Sequence, residues 1–271
     1  MKGKTGRGER NRNRTGTETE QGTETEYGDK AKYGIKKERT VKASNRRTVN
    51  LENIRNNMAL IRKHVPASAE LFAVVKADAY GHGSVETARA ALAGGADRLA
   101  VARVDEGTVL RQHGIDVPIL VLGAATREDA EEGVAMGLTQ TVCDPDMVRF
   151  CGEAAERQGR TAEVHLKIDT GMGRIGVRTR EERDAVLNAL RESAHLRLTG
   201  AFTHFADADG DEDGMAYTRL QFRRFTRTEE QTVLLPYLQA AAIAAAQQAE
   251  PELIYADAGD DTACMWVIAD G

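Results

Sequence analysis

From about Thr48 onward, short apolar runs alternate with amphipathic stretches. Leu51 to His64 carries apolar residues at 51, 54, 58, 60 and 61, the spacing of a helix with one buried face. The run Leu71 to Lys76 (LFAVVK) is continuous, which predicts a strand covered on both faces. The alternation predicts further strands at Arg98 to Ala102, Pro118 to Leu122, Leu138 to Val142, Ala162 to Ile168 and Leu196 to Thr203. Helices are predicted near 104–113, 127–136, 145–158, 179–193 and 215–230. Ser84 offers an N-cap for a helix that Gly94 and Gly95 would close.

These units recur every 20 to 34 residues, too long for hairpins and suited to βα crossovers in a parallel sheet. An α/β domain follows, with two architectures open: an eight-unit barrel or an open doubly wound sheet. After Thr232 the pattern thins. Leu238 to Ala249 is dominated by Ala and favours helix, and only Leu253 to Tyr255 resembles a last strand, so this end does not establish closure of a barrel.

The first 47 residues differ in character: 14 Lys/Arg against 7 Asp/Glu give +7, while the rest of the chain carries −12 of the total −5. Only seven of these 47 residues are apolar, and Thr17 to Tyr27 reads TETEQGTETEY, so residues 1–47 are expected to be a disordered low-complexity tail before a domain over 48–271. The basic start GKTGRGERNRNR has no interleaved aromatic platform, which argues against a nucleic-acid partner. No apolar run approaches the ~20 residues of a membrane span, no apolar secretory core is present, and the tail is too acidic for an organelle transit segment. The expected address is the cytoplasm. Cys143, Cys151 and Cys264 form no CxxC pair and have no His at zinc spacing, so they are expected to be reduced structural thiols and no metal site is expected.

Three strand ends carry chemistry. Lys76, in AVVKADAYGHG, closes an apolar strand, where desolvation would favour the neutral amine that a Schiff-base enzyme needs; the alternative is a Lys that simply reaches out to water. Lys167 and Asp169 flank Ile168 in HLKIDTGMGRIGV, with Arg174 in the glycine loop beyond; a plain Lys167–Asp169 ion pair is the alternative. His204 follows in GAFTHFADAD. Gly171, Gly173 and Gly176 match a dinucleotide fingerprint, but the next helix starts only near Thr179 and the next strand ends in Thr203-His204 instead of an acid. The acids from Asp207 to Asp213 fail a calcium-loop template, with Glu212 where Gly is needed and Thr218 where a bidentate Glu is needed; a loop capping the next helix is expected instead.

From about Arg47 to Phe225, these three motifs together resemble the amino-terminal barrel of pyridoxal-phosphate-dependent alanine racemase. The resemblance implies a TIM-type (β/α)8 barrel, incomplete at its carboxyl end, and a family β domain beyond it that is absent here. It implies a cytoplasmic isomerase interconverting L- and D-alanine for cell-wall synthesis, with pyridoxal 5'-phosphate as cofactor, alanine as substrate and a homodimeric family habit. By position, Lys76 matches the cofactor-bearing lysine that is also one of two bases, and Tyr80 the phosphate-binding tyrosine. Lys167 matches a lysine often carbamylated, which supports the arginine at the cofactor's phenolic oxygen, here Arg174. His204 matches the imidazole against the pyridine ring. Further on, Gly259 falls where a phosphate-binding glycine belongs, Ala241 and Ala242 where the family has Asn-Ser, and Asp257 where it has the arginine facing the pyridine nitrogen. The opposite-face base belongs to the β domain, so racemisation by this chain would need a substitute, with Tyr217 or His82 first in line. The rival readings are a cofactor-holding barrel without turnover and a non-functional fragment.

Overall fold

The chain divides into Met1–Asn50 and Leu51–Gly271. The computed structural model describes residues 47–67, 69–226 and the backbone of 265–269; of the first unit only residues 47–50 are described, without helix or strand. The tail expected over 1–47, and the elements expected over 238–249 and 253–255, therefore lie almost wholly outside the described residues.

The second unit begins with helix α1 (Leu51–His64), followed by strand β1 (Phe72–Val74), the short turn α2 (Lys76–Gly81) and helix α3 (Ser84–Ala93). Four strand–helix units follow: β2 (Arg98–Val101) with α4 (Val104–Gln112), β3 (Ile119–Ala124) with α5 (Arg127–Ala135), β4 (Thr139–Val142) with α6 (Pro145–Arg157), and β5 (Ala162–Lys167) with α7 (Arg180–Glu192). Strand β6 (Leu196–His204) leads into α8 (Glu212–Phe225), and β7 (Met265–Ala269) is the last described strand. The sheet runs in chain order from β1 to β7; β1 to β6 are parallel, and β7 adds antiparallel to β6.

Alternation along each strand divides the apolar residues between two faces. Ala73, Val75, Leu99, Val101, Ile119 and Val121 pack outward against the helices in one cluster, and Val142, Val164, Leu166 and Leu198 do so in another. The other face carries Phe72, Val74, Ala100, Leu120, Leu122 and Phe202, which form one contiguous cluster. Strands β2 and β6 are four places apart, which in a flat sheet would separate them by about 19 Å at ~4.8 Å per strand. Packing of Phe202 on Ala100 and Leu120 therefore requires the sheet to curl into an incomplete α/β barrel.

Local chemistry places four of the described helix starts. Thr126, Asp144, Thr179 and Asp211 each cap their helix by accepting a backbone N–H, and Asp211 confirms the capping role expected of the acidic loop. Ser84 does not cap α3. Its N–H instead donates to Asp78 Oδ1 at 2.8 Å, so the cap comes from six residues upstream. Strand β1 is shorter than its apolar run because Val75 (φ −119°, ψ 25°) leaves the extended region. β7 was not expected, although Met265 to Ala269 (MWVIA) is the kind of continuous apolar run that marks a strand. No helix among the described residues is long and apolar enough to cross a membrane.

Candidate active site

The sequence-predicted residues that the structure describes gather at the carboxyl ends of the parallel strands. Lys76 lies two residues beyond the end of β1, Lys167 ends β5 and His204 ends β6, while Arg174 and Tyr80 lie in the connections beyond β5 and β1. Gly259, with Ala241, Ala242 and Asp257, lies outside the described residues.

Lys76 is half-buried, not sealed in a dry strand interior, and its Nζ lies 5.7 Å from the ring centroid of the exposed Tyr80. The dry lysine is Lys167, 4% exposed on the concave face. Its Nζ lies 5.2 Å from the Phe202 ring centroid and donates to the Ile168 carbonyl at 3.1 Å. Burial pushes its pKa down to about 8, Arg174 pushes the same way, and Asp169 opposes both. The alternative Lys167–Asp169 ion pair is not made, because Asp169 is engaged elsewhere. It accepts N–H bonds from Gly171 and Gly173 at 3.0 Å and from Arg178 Nε at 2.9 Å. Burial alone would raise the Asp169 carboxyl, but these N–H groups and the Arg178 charge outweigh it and hold the pKa below the ordinary carboxylate value.

His204 reports on the whole cluster. Burial lowers its pKa to about 4, and the positive charges of Arg174, Lys167 and Lys76 act in the same direction. Four groups from three strand ends and one loop thus share one neighbourhood, and the imidazole among them is neutral at pH 7. Charged Lys167 is the electrostatic cost of this arrangement. With its folded pKa depressed from 10.5 to about 8, the full penalty applies below pH 8 and is relieved as pH rises towards 10.5. Lys167→Met should therefore raise unfolding free energy at pH 7 by about 2 to 3 kcal/mol in urea titrations. The gain should shrink by pH 10, and destabilisation at pH 7 would show that the ammonium is well solvated.

The glycine loop is built to carry Arg174. Gly171 (φ 144°) passes so close to α8 that a Cβ would sit 2.3 Å from Tyr217 Oη, and Gly176 (φ 124°) would bring one to 2.7 Å from Asp169 N. α7 begins only at Arg180, capped by Thr179, so these glycines open no helix and the dinucleotide reading fails structurally. Tyr217 and His82 are both committed locally: Tyr217 donates to the Gly171 carbonyl at 2.9 Å, and His82 Nδ1 lies 2.9 Å from the Ala79 carbonyl.

Two polar residues that sequence reasoning passed over hold this mouth together. Gln221, fully buried on α8, accepts from Ala206 N–H at 2.8 Å and donates to the His204 carbonyl at 3.1 Å and Thr170 Oγ1 at 3.2 Å. The available signal was its place among the core-facing positions 214, 218, 221 and 225. Gln221→Leu would leave these groups unpaired and should cost about 2 to 4 kcal/mol of stability in denaturant titrations. A neutral effect would mean that water replaces the amide. The second residue is Glu106 at the start of α4, which bonds the backbone beside Lys76.

The described residues thus form an incomplete α/β barrel with two lysines, an arginine and a neutral imidazole at the carboxyl mouth of its parallel strands, the end where barrel enzymes carry their sites. The family model described as "Alanine racemase, N-terminal domain" matches residues 49–256. Alanine racemase 2 of Bacillus subtilis is 42% identical over 204 residues, covering 73% of this chain and 51% of the relative. Among solved structures, alanine racemase from Bacillus anthracis with bound L-Ala-P superimposes with a TM-score of 0.63 at 39% identity, over 69% of this chain and 47% of that one. Histidine racemase from Leuconostoc mesenteroides gives 0.60 at 30%, over 65% of this chain and 48% of that one. The chain belongs to the alanine racemase family through its N-terminal domain. It spans about half the length of the curated relatives it matches.

Proposed function

We propose that this chain is the barrel of a pyridoxal-phosphate-dependent racemase acting on alanine. The observation that carries the reading is the convergence of Lys76, Lys167, Arg174 and His204 on one strand-end mouth. The donor set suits the cofactor: a primary amine for an aldehyde, a guanidinium for an anionic oxygen, and a neutral imidazole beside an aromatic ring. Bound there, pyridoxal phosphate supplies an electron sink for the pair released when the substrate α-proton leaves. Lys76 would bond the aldehyde carbon and, once the substrate amine has displaced it, its free amine would move the proton on its own face of the α-carbon; Tyr80 would bind phosphate, and Gly259 is assigned to the same group by sequence position. Arg174 would donate to the phenolic oxygen, with the Lys167 charge acting nearby. His204, uncharged at pH 7, would pack against the ring without adding a cation.

Alanine is the substrate in the names of the curated relatives, while one of the similar solved structures is named a histidine racemase. The reading carries with it the family's homodimer and a cytoplasmic address. The test is deuterium wash-in from heavy water into each alanine enantiomer, followed beside optical rotation, with the cofactor-loaded protein. Exchange is expected; protium retained in both enantiomers would leave a protein that holds cofactor without turnover.

A further inference from the structure

Ala77, Asp78, Ala79 and Tyr80 have φ of 51°, 56°, 51° and 54°, and among the described residues they are the non-glycine positions with positive φ. Side chains with a Cβ disfavour this left-handed conformation, and four in succession persist only where the surroundings hold them. Two carboxylates do the holding. Asp78 Oδ1 accepts the Ser84 N–H at 2.8 Å and ties the end of the turn to α3. Glu106, from the next strand–helix unit, ties its beginning: Oε1 accepts the Ala77 N–H at 2.8 Å. Its other oxygen, Oε2, accepts Ala102 N–H at 2.7 Å and Arg103 N–H at 3.2 Å, which anchors the carboxylate to the end of β2.

The Ala77 N–H belongs to the peptide unit that leaves Lys76. Fixing it fixes the plane from which the Lys76 side chain departs, at the point where Val75 has already left the extended region. We propose that Glu106 is a positioning residue: it holds the left-handed turn against β2 and so keeps the Lys76 amine at the barrel mouth. The proposal rests on the reading of Lys76 as the reacting amine. A carboxylate suits the task because all three of its partners are donors. Glu106→Gln keeps the shape but turns one acceptor into a donor facing an N–H, so one of the two anchor points must open.

The experiment uses the full 271-residue chain and pyridoxal phosphate as probe. Attachment at Lys76 is trapped with borohydride at timed intervals and quantified by peptide mass spectrometry, while amide exchange at Ala77 is followed without cofactor. Glu106→Gln should slow attachment at least tenfold and speed Ala77 exchange, with far-ultraviolet circular dichroism unchanged. Adding Ala77→Gly and Ala79→Gly should restore most of the rate, because glycine adopts the left-handed conformation without a Cβ clash. A role confined to capping α4 would not be rescued in this way. Wild-type rates in Glu106→Gln, or a loss that the glycines do not recover, would overturn this proposal alone. Absence of Lys76 attachment in the wild-type protein would overturn the reading of the site and this proposal with it.

Discussion

Lys76→Ala should abolish borohydride-trapped attachment of pyridoxal phosphate, leaving less than about one hundredth of the wild-type adduct at the barrel mouth. That is the scale on which removal of a positioned reacting group acts. Two amines compete for the assignment. Lys167 is the drier one, and its pKa of about 8 leaves an appreciable neutral fraction at pH 7 to 8. It nevertheless sits 4% exposed over the Phe202 ring, with Nζ committed to the Ile168 carbonyl, so a bulky aldehyde cannot approach without displacing the core. Lys76 is half-buried, and its Nζ lies 5.7 Å from the centroid of the exposed Tyr80 ring. Access therefore outweighs basicity, and the adduct is expected on Lys76. Peptide mapping that found it on Lys167 would reverse the assignment.

The strand-end groups were legible because a charged residue at the end of a buried apolar run is itself an anomaly. Lys76, Lys167 and His204 stand out on one-dimensional pattern alone, and the curl of the sheet supplies only their proximity. The residues that aim them leave no such mark. Their long-range partners include backbone groups 29 positions away for Glu106 and 15 to 17 away for Gln221, N–H and C=O groups that leave no mark in a sequence. The same limit explains Ser84. A local capping rule selects the hydroxyl beside the helix, whereas a left-handed turn folds Asp78 back to the same N–H. Four non-glycine residues in that conformation run against intrinsic preference, so local pattern predicts an extended β1 up to Lys76 and the structure shortens it.

Acid should unfold this domain earlier than its carboxylates alone would, and His165 should be the main reason. It lies on β5 two residues before Lys167, is 1% exposed, and neither ring nitrogen has a hydrogen-bond partner among the described residues. Burial lowers its pKa to about 3, and the Arg98 charge adds to the effect. The unfolded chain binds this proton near pH 6.5, whereas the fold resists it until about pH 3, so stability falls as pH drops through that window. At about 1.4 kcal/mol per factor of ten, the fold loses roughly 5 kcal/mol by pH 3 through this one ring. His204 follows the same sign between pH 6.5 and about 4. Typical domains have only about 5 to 15 kcal/mol in total. His165→Leu keeps the volume close, removes the titration, and deletes two buried nitrogens without partners, so it should be neutral or stabilising at pH 7. Its acid midpoint should move down by about one pH unit or more, with His204 left to set the remaining slope. An acid transition in His165→Leu that coincides with the wild-type one would show that the ring is hydrated and titrates freely in the folded barrel.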